Sequence, residues 1–116
     1  KYIGCYSLKN YKLVFRNFYL GGGVADVQQQ KKSTVLGAIY QISKSDEKKL
    51  DIYEDFPILY TKMYFKYYNK KVMTYIMNNK SEFRYPTERY LNVVKKGYID
   101  CGLDKSYLIK ALDPNK

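Results

Sequence analysis

Leu50-Asp51-Ile52-Tyr53-Glu54-Asp55-Phe56-Pro57-Ile58-Leu59-Tyr60 is the stretch around which the rest of the chain is organised. Just upstream, Ser43 and Ser45 precede Asp46 and Glu47, which supplies a side-chain oxygen for the first orphan amides of a helix and negative charge for its N-terminus. The spacing predicts a short helix from about Asp46 to Tyr53, with Leu50 and Tyr53 three apart on one face, that ends before Pro57. Glu54 then stands at the helix end, three residues after Asp51 and directly ahead of Phe56-Pro57. An apolar neighbourhood there disfavours the charged carboxylate and raises its pKa towards the working range of a general acid or base, and the negative end of the helix dipole pushes the same way. A solvated glutamate at a helix end is the plainer reading of the same residues, and at this level both stand.

Outward from that helix the chain reads as short strands followed by helices. Tyr11 to Phe18 alternates β-branched, aromatic and basic residues as a strand does, and the triple glycine Gly21-Gly22-Gly23 interrupts it as a flexible turn or bulge. Those glycines lack the Gly-Lys-Ser/Thr and helix of a phosphate-binding loop, because Val24 to Val27 reads as another strand. Thr34 to Ile42 is the most apolar strand, with Gly37 inside it. Tyr60 to Tyr67 and Lys71 to Met77 flank Tyr68-Asn69-Lys70 as a hairpin, and Asn78 to Tyr85 is a polar loop. Pro86 and Thr87 open a helix to about Tyr98, striped by Tyr90, Val93, Val94 and Tyr98, and Asp104 caps a last helix, Lys105 to Leu112, before Pro114. Strands with one helix among them and two helices at the end give an α+β class with a largely antiparallel or mixed sheet.

The 116 residues suit one domain spanning 1-116, and 46% hydrophobic with 28% charged residues is an ordinary globular mixture. No apolar run approaches the ~20 residues of a membrane-spanning helix and no signal-peptide pattern is present, which reads as a soluble, cytoplasmic protein without a membrane partner. Histidine is absent, which removes Ser-His-Asp and Cys-His catalysis and most zinc sites. Cys5 and Cys101, far apart in sequence, have neither disulfide-scaffold density nor metal-ligand spacing and read as free thiols. The 21 Lys and Arg against 11 acids give +10, but they are spread along the chain without an RNP-like or GXXG motif, so charge alone argues no nucleic-acid partner. The 15 tyrosines read chiefly as amphipathic packing at half-buried positions.

Five ordered segments carry a resemblance: Val35-Leu36-Gly37-Ala38-Ile39-Tyr40; Leu50-Asp51-Ile52-Tyr53-Glu54 with Phe56-Pro57 and Tyr60; Met73-Thr74-Tyr75-Ile76-Met77; Pro86-Thr87-Glu88-Arg89-Tyr90-Leu91; and Gly97-Tyr98-Ile99-Asp100-Cys101-Gly102-Leu103. In order and spacing they resemble the γ-glutamylcyclotransferase-like family, bacterial-type and related to plant avirulence-induced-gene-like proteins, from about Tyr11 to Leu112. The resemblance implies a small mixed or antiparallel β-barrel of about five to six strands with two to three peripheral helices. It implies cyclisation of a γ-glutamyl amide to 5-oxoproline with release of an amine or amino acid, with Glu54 as general acid/base and Tyr60, Tyr75 and Tyr90 lining the substrate pocket. It implies neither metal nor cofactor. A non-catalytic small-molecule-binding or regulatory member of the same fold is the alternative.

The chain departs from the family pattern in two places. Asp55 stands where the family usually has Gly after the catalytic Glu, and the opening strand and Tyr-Gly-Ser-Asn loop, whose amides hold the substrate carboxylate and polarise the carbonyl, are not in this sequence. The expectation is therefore a longer natural protein preceded by ~35 further residues, a fragment nearly inactive by itself. A sheet edge would be left to pair with that N-terminal peptide or another copy.

Overall fold

The computed structural model describes residues 1–19, 21–78 and 81–113. Strand β1, Tyr2–Tyr19, and strand β2, Gly22–Tyr40, form one antiparallel ladder, and β3, Tyr60–Tyr67, and β4, Lys70–Met77, form another. Helix α1, Lys44–Tyr53, joins the two ladders, while α2, Glu88–Asp100, and α3, Lys105–Ala111, follow them. The α+β class with antiparallel sheets and three helices therefore holds.

The expected barrel of five to six strands is corrected: among the described residues there are four strands in two two-stranded sheets, and no closed barrel. Tyr11 to Phe18, Val24 to Val27 and Thr34 to Ile42 are parts of two long strands, because backbone in the left-handed region bends the ladder without ending it. Asn10 and Lys32, at φ 66° and 68°, sit where the register slips between Lys9↔Thr34 and Tyr11↔Gln29, and the Asn10 side-chain oxygen accepts the Lys32 amide at 3.3 Å. Asparagine tolerates this conformation and satisfies the displaced amide, so the strand kinks as a bulge. The hairpin β3–β4 has the expected bounds to within a residue, and its tight turn places Tyr68 at φ 54°. The expected polar loop from Asn78 to Tyr85 carries an isolated bridge, Arg16↔Phe83; Asn79 and Lys80 within it, and Pro114 after α3, lie outside the described residues.

The glycine triplet has a stricter role than a flexible turn. Gly21 adopts φ 98°, but Gly22 and Gly23 begin β2 pressed against the 84–87 backbone, where Gly23 donates its amide to the Tyr85 carbonyl at 3.0 Å. A Cβ on Gly23 would fall 1.9 Å from the Arg84 carbonyl oxygen. Gly23→Ala must push the segment entering α2 away from the sheet, and is expected to cost about 3 kcal/mol, the upper end of overpacking, in chemical denaturation.

Two buried clusters hold the layers together. Phe15, Leu91, Tyr98, Leu108 and Ala111 pack α2 and α3 onto β1, and Val24, Tyr60 and Met77 join β2 to the β3–β4 hairpin. A polar tie lies beside the second. Asp26 is buried and accepts from Arg16 Nε at 2.9 Å and Nη2 at 2.5 Å, while its other oxygen accepts the Met77 amide at 3.0 Å. Arg16 and Asp26 are diagonal neighbours across β1–β2, with Gln28 taking the remaining guanidinium nitrogen at 2.9 Å. No described helix is long and apolar enough to cross a membrane.

Candidate active site

Helix α1 is fixed at both ends by side-chain contacts. Of the two serines offered by the sequence, Ser43 is the cap, and with Asp46 it forms a reciprocal capping box at the helix start. Its other end is pinned through Asp51. The Tyr75 hydroxyl of β4 donates to Asp51 at 2.6 Å, and the Lys62 ammonium of β3 contacts Asp51 at 3.0 Å and Glu47 at 2.7 Å. Lys62 also lies 4.5 Å from the Phe56 ring centroid, gathering the segment after the helix onto the same hairpin. The Tyr75 hydrogen bond, aided by Lys62, holds the Asp51 carboxyl below its ordinary pKa, and the bond to Glu47 and then that to Asp51 raise Lys62.

Asp51→Ala would remove both anchors. We expect lower stability at neutral pH and a Glu54 displaced from its geometry. Because the folded pKa of Asp51 is lowered, the stability it supplies is present above the ordinary 3.8 and lost as pH falls through the folded value. Denaturation curves of wild type and variant should accordingly converge in acid.

Glu54 is the C-cap of α1, its amide bonded to the Leu50 and Ile52 carbonyls. The chain then turns sharply: Asp55 has φ 53°, and its carbonyl accepts the amides of Ile58 and Leu59 at 2.9 and 2.8 Å. Asn78 fastens this turn by donating to the Pro57 and Ile58 carbonyls at 2.7 and 2.9 Å. The left-handed conformation at Asp55 is one that glycine takes freely and aspartate takes more readily than most residues. The substitution is therefore accommodated without loss of the turn.

Glu54 faces a cavity of about 780 Å³ whose walls come from the start of β2, the end of α1, Leu59 and Tyr60, and the first turns of α2. Tyr60 and Tyr90 line it with Glu54, and so do Tyr53 and Arg89. Tyr75 does not: it meets the edge of the Tyr60 ring, centroids 6.2 Å apart, and its hydroxyl is committed to Asp51. A second cavity, about 580 Å³ between β1 and α3, contains none of the four residues singled out from the sequence.

The Glu54 carboxylate, half-buried, makes no hydrogen bond or ion pair with the described residues, and burial raises its pKa. Tyr60 and Tyr90 are linked through one residue of β2: Tyr60 donates its hydroxyl to the Ala25 carbonyl and Tyr90 accepts the Ala25 amide, each at 3.0 Å. Burial raises both phenols, opposed at Tyr90 by the amide it accepts. Both stay protonated at neutral pH. The Tyr60 hydrogen is used by the fold, whereas the Tyr90 hydrogen is available to a ligand. Among the described residues no cluster of three His, Cys, Asp or Glu could hold a metal ion.

Sequence reasoning passed over Arg89 and Tyr53 as cavity residues, although both lie in the quoted motifs. It also had no means of pairing Tyr75 with Asp51, which are 24 residues apart.

Two solved structures share the fold: one of an uncharacterized protein from Homo sapiens, 25% identical, and one described as a gamma-glutamyl cyclotransferase, 23% identical. Each aligns with a TM-score of 0.80 over 99% of this chain and 76% of the other. No curated protein matches the sequence. The AIG2-like family matches residues 34–112, and the chain belongs to that family.

Proposed function

We propose that this chain acts as a γ-glutamyl-amine cyclotransferase, with Glu54 moving the protons. The observation that carries this reading is a half-buried carboxylate without a described partner, its pKa raised by burial, facing a cavity bordered by Tyr60 and Tyr90. A structural glutamate would be paired or solvated; this one is neither fully wet nor neutralised.

In the reaction, ionised Glu54 takes a proton from the substrate's α-ammonium. The freed amine attacks the γ-carbonyl of the same molecule, forming the new C–N bond of a five-membered ring. Collapse breaks the old amide bond; Glu54 returns its proton to the departing nitrogen, and the surplus proton of the ring nitrogen follows, so that 5-oxoproline and an ammonium group are released. Nucleophile and electrophile belong to one molecule, so proximity is intrinsic and the protein has chiefly to orient the chain and move protons. The unused Tyr90 hydrogen suits a substrate oxygen, Tyr60 forms the wall, and Tyr75 serves through Asp51 as the residue that sets α1 and hence Glu54.

The experiment is 5-oxoproline release from a series of γ-glutamyl dipeptides by the natural gene product. Turnover supports the reading. Saturable binding of the same dipeptides without 5-oxoproline would instead identify a non-catalytic binding member of the fold.

A further inference from the structure

Cys5 and Cys101 lie 96 positions apart, yet the fold brings them together. The Cys5 sulfur reaches the Cys101 carbonyl oxygen at 3.3 Å, so it touches the very residue that carries the second thiol. Cys5 lies near the start of β1, opposite Ala38, and Cys101 is the C-cap of α2, followed by Gly102 at φ 65°. Two phenols complete the cluster. The Tyr2 hydroxyl is 3.1 Å from the Cys5 sulfur, the Tyr40 hydroxyl is 3.8 Å from the Cys101 sulfur, and the two rings meet edge to face with centroids 5.6 Å apart. Cys5 is exposed and both thiols are free. This corner lies away from the Glu54 cavity, whose lining includes none of the four residues.

We propose that Cys5 and Cys101 form an oxidisable pair that closes, under a peroxide oxidant, into an intramolecular disulfide clasping β1 to the end of α2. The thiolate of exposed Cys5 attacks one peroxide oxygen; the O–O bond breaks, and the departing oxygen leaves as water, giving a sulfenic acid on Cys5. The Cys101 sulfur then attacks the Cys5 sulfur, forming the S–S bond and displacing the sulfenic oxygen as a second water. In balance, two thiols and one hydrogen peroxide become one disulfide and two waters.

Two features favour this pair over independent oxidation. The second sulfur belongs to the residue already in contact with the first, so a resolving thiol is at hand before a sulfenic acid can oxidise further. The turn beginning at Gly102 and the Cys101 side chain supply the torsional freedom to bring the sulfurs to bonding distance. The clasp would enclose nearly the whole chain, the case in which a cross-link restricts the unfolded state most. In a reducing compartment the pair stays open, so stability would follow the oxidant level.

The test is treatment of the full chain with hydrogen peroxide, then alkylation of the unfolded protein, intact mass and peptide mapping. The expected product is a monomer two hydrogens lighter, with Cys5 and Cys101 in one cross-linked peptide and neither alkylated. Its Tm should rise by roughly 10 °C and return on adding dithiothreitol, with no such rise in Cys5→Ser or Cys101→Ser. Sulfinic acid on Cys5 with Cys101 still alkylated, or cross-links only between chains, would overturn the proposal.

Discussion

Glu54→Gln in the natural gene product is expected to lower kcat for 5-oxoproline release by roughly a hundredfold to ten-thousandfold, the range of a positioned general acid or base, with little change in KM. The amide keeps the shape of the side chain and removes only its ability to carry the proton. Stability should move the other way or not at all. Burial raises the folded pKa of Glu54 above its ordinary 4.5, so the fold favours the neutral form; that contribution is fully present below the unfolded pKa and is lost as pH rises through the folded value. A permanently neutral glutamine escapes this loss, and its Tm at pH 7 should equal or exceed that of the parent. A variant that lost both activity and Tm would mark Glu54 as a structural residue instead.

The second large effect concerns the tie between the two ladders. Asp26→Ala leaves the Arg16 guanidinium buried opposite Gln28 alone and strips the Met77 amide of its acceptor. Removing one partner of a buried pair costs about 3–5 kcal/mol, because the remaining charge has no water to return to. For a chain of this size that is a Tm lower by roughly 15 °C or more. Asp26→Asn, which keeps an oxygen for Met77, should lose less. A thermal melt of the two variants separates the charge contribution from the bridging one, and a loss in Asp26→Ala near that of an ordinary surface change would mean the tie does not hold the ladders together.

Local chemistry was what the sequence made legible. Asp104 caps α3 as expected, and of the two serines offered for α1 it is Ser43 that caps, while Thr87, read only as opening α2 with Pro86, is its cap; each needs only the residues beside it. The hairpin turn at Tyr68 is legible for the same reason. The long strands were not, because Asn10 and Lys32 bend the ladder at positions that read as strand ends, and from sequence a bulge and a break look alike. Distance along the chain hid the rest: the backbone pressed on Gly23, the Tyr75 hydroxyl captured by Asp51, and the meeting of Cys5 with Cys101 depend on partners dozens of residues away. Of the site, Glu54, Tyr60 and Tyr90 meet at one cavity. Tyr75 reaches it only through the helix it anchors.

The most direct test is a pH titration of the Glu54 side-chain carboxyl, labelled with carbon-13 and assigned by comparison with Glu54→Gln, run beside kcat/KM over the same range. A midpoint above 4.5 that coincides with the acid limb of the rate profile is the predicted result. A midpoint at or below that value, with the rate limb elsewhere, would contradict it.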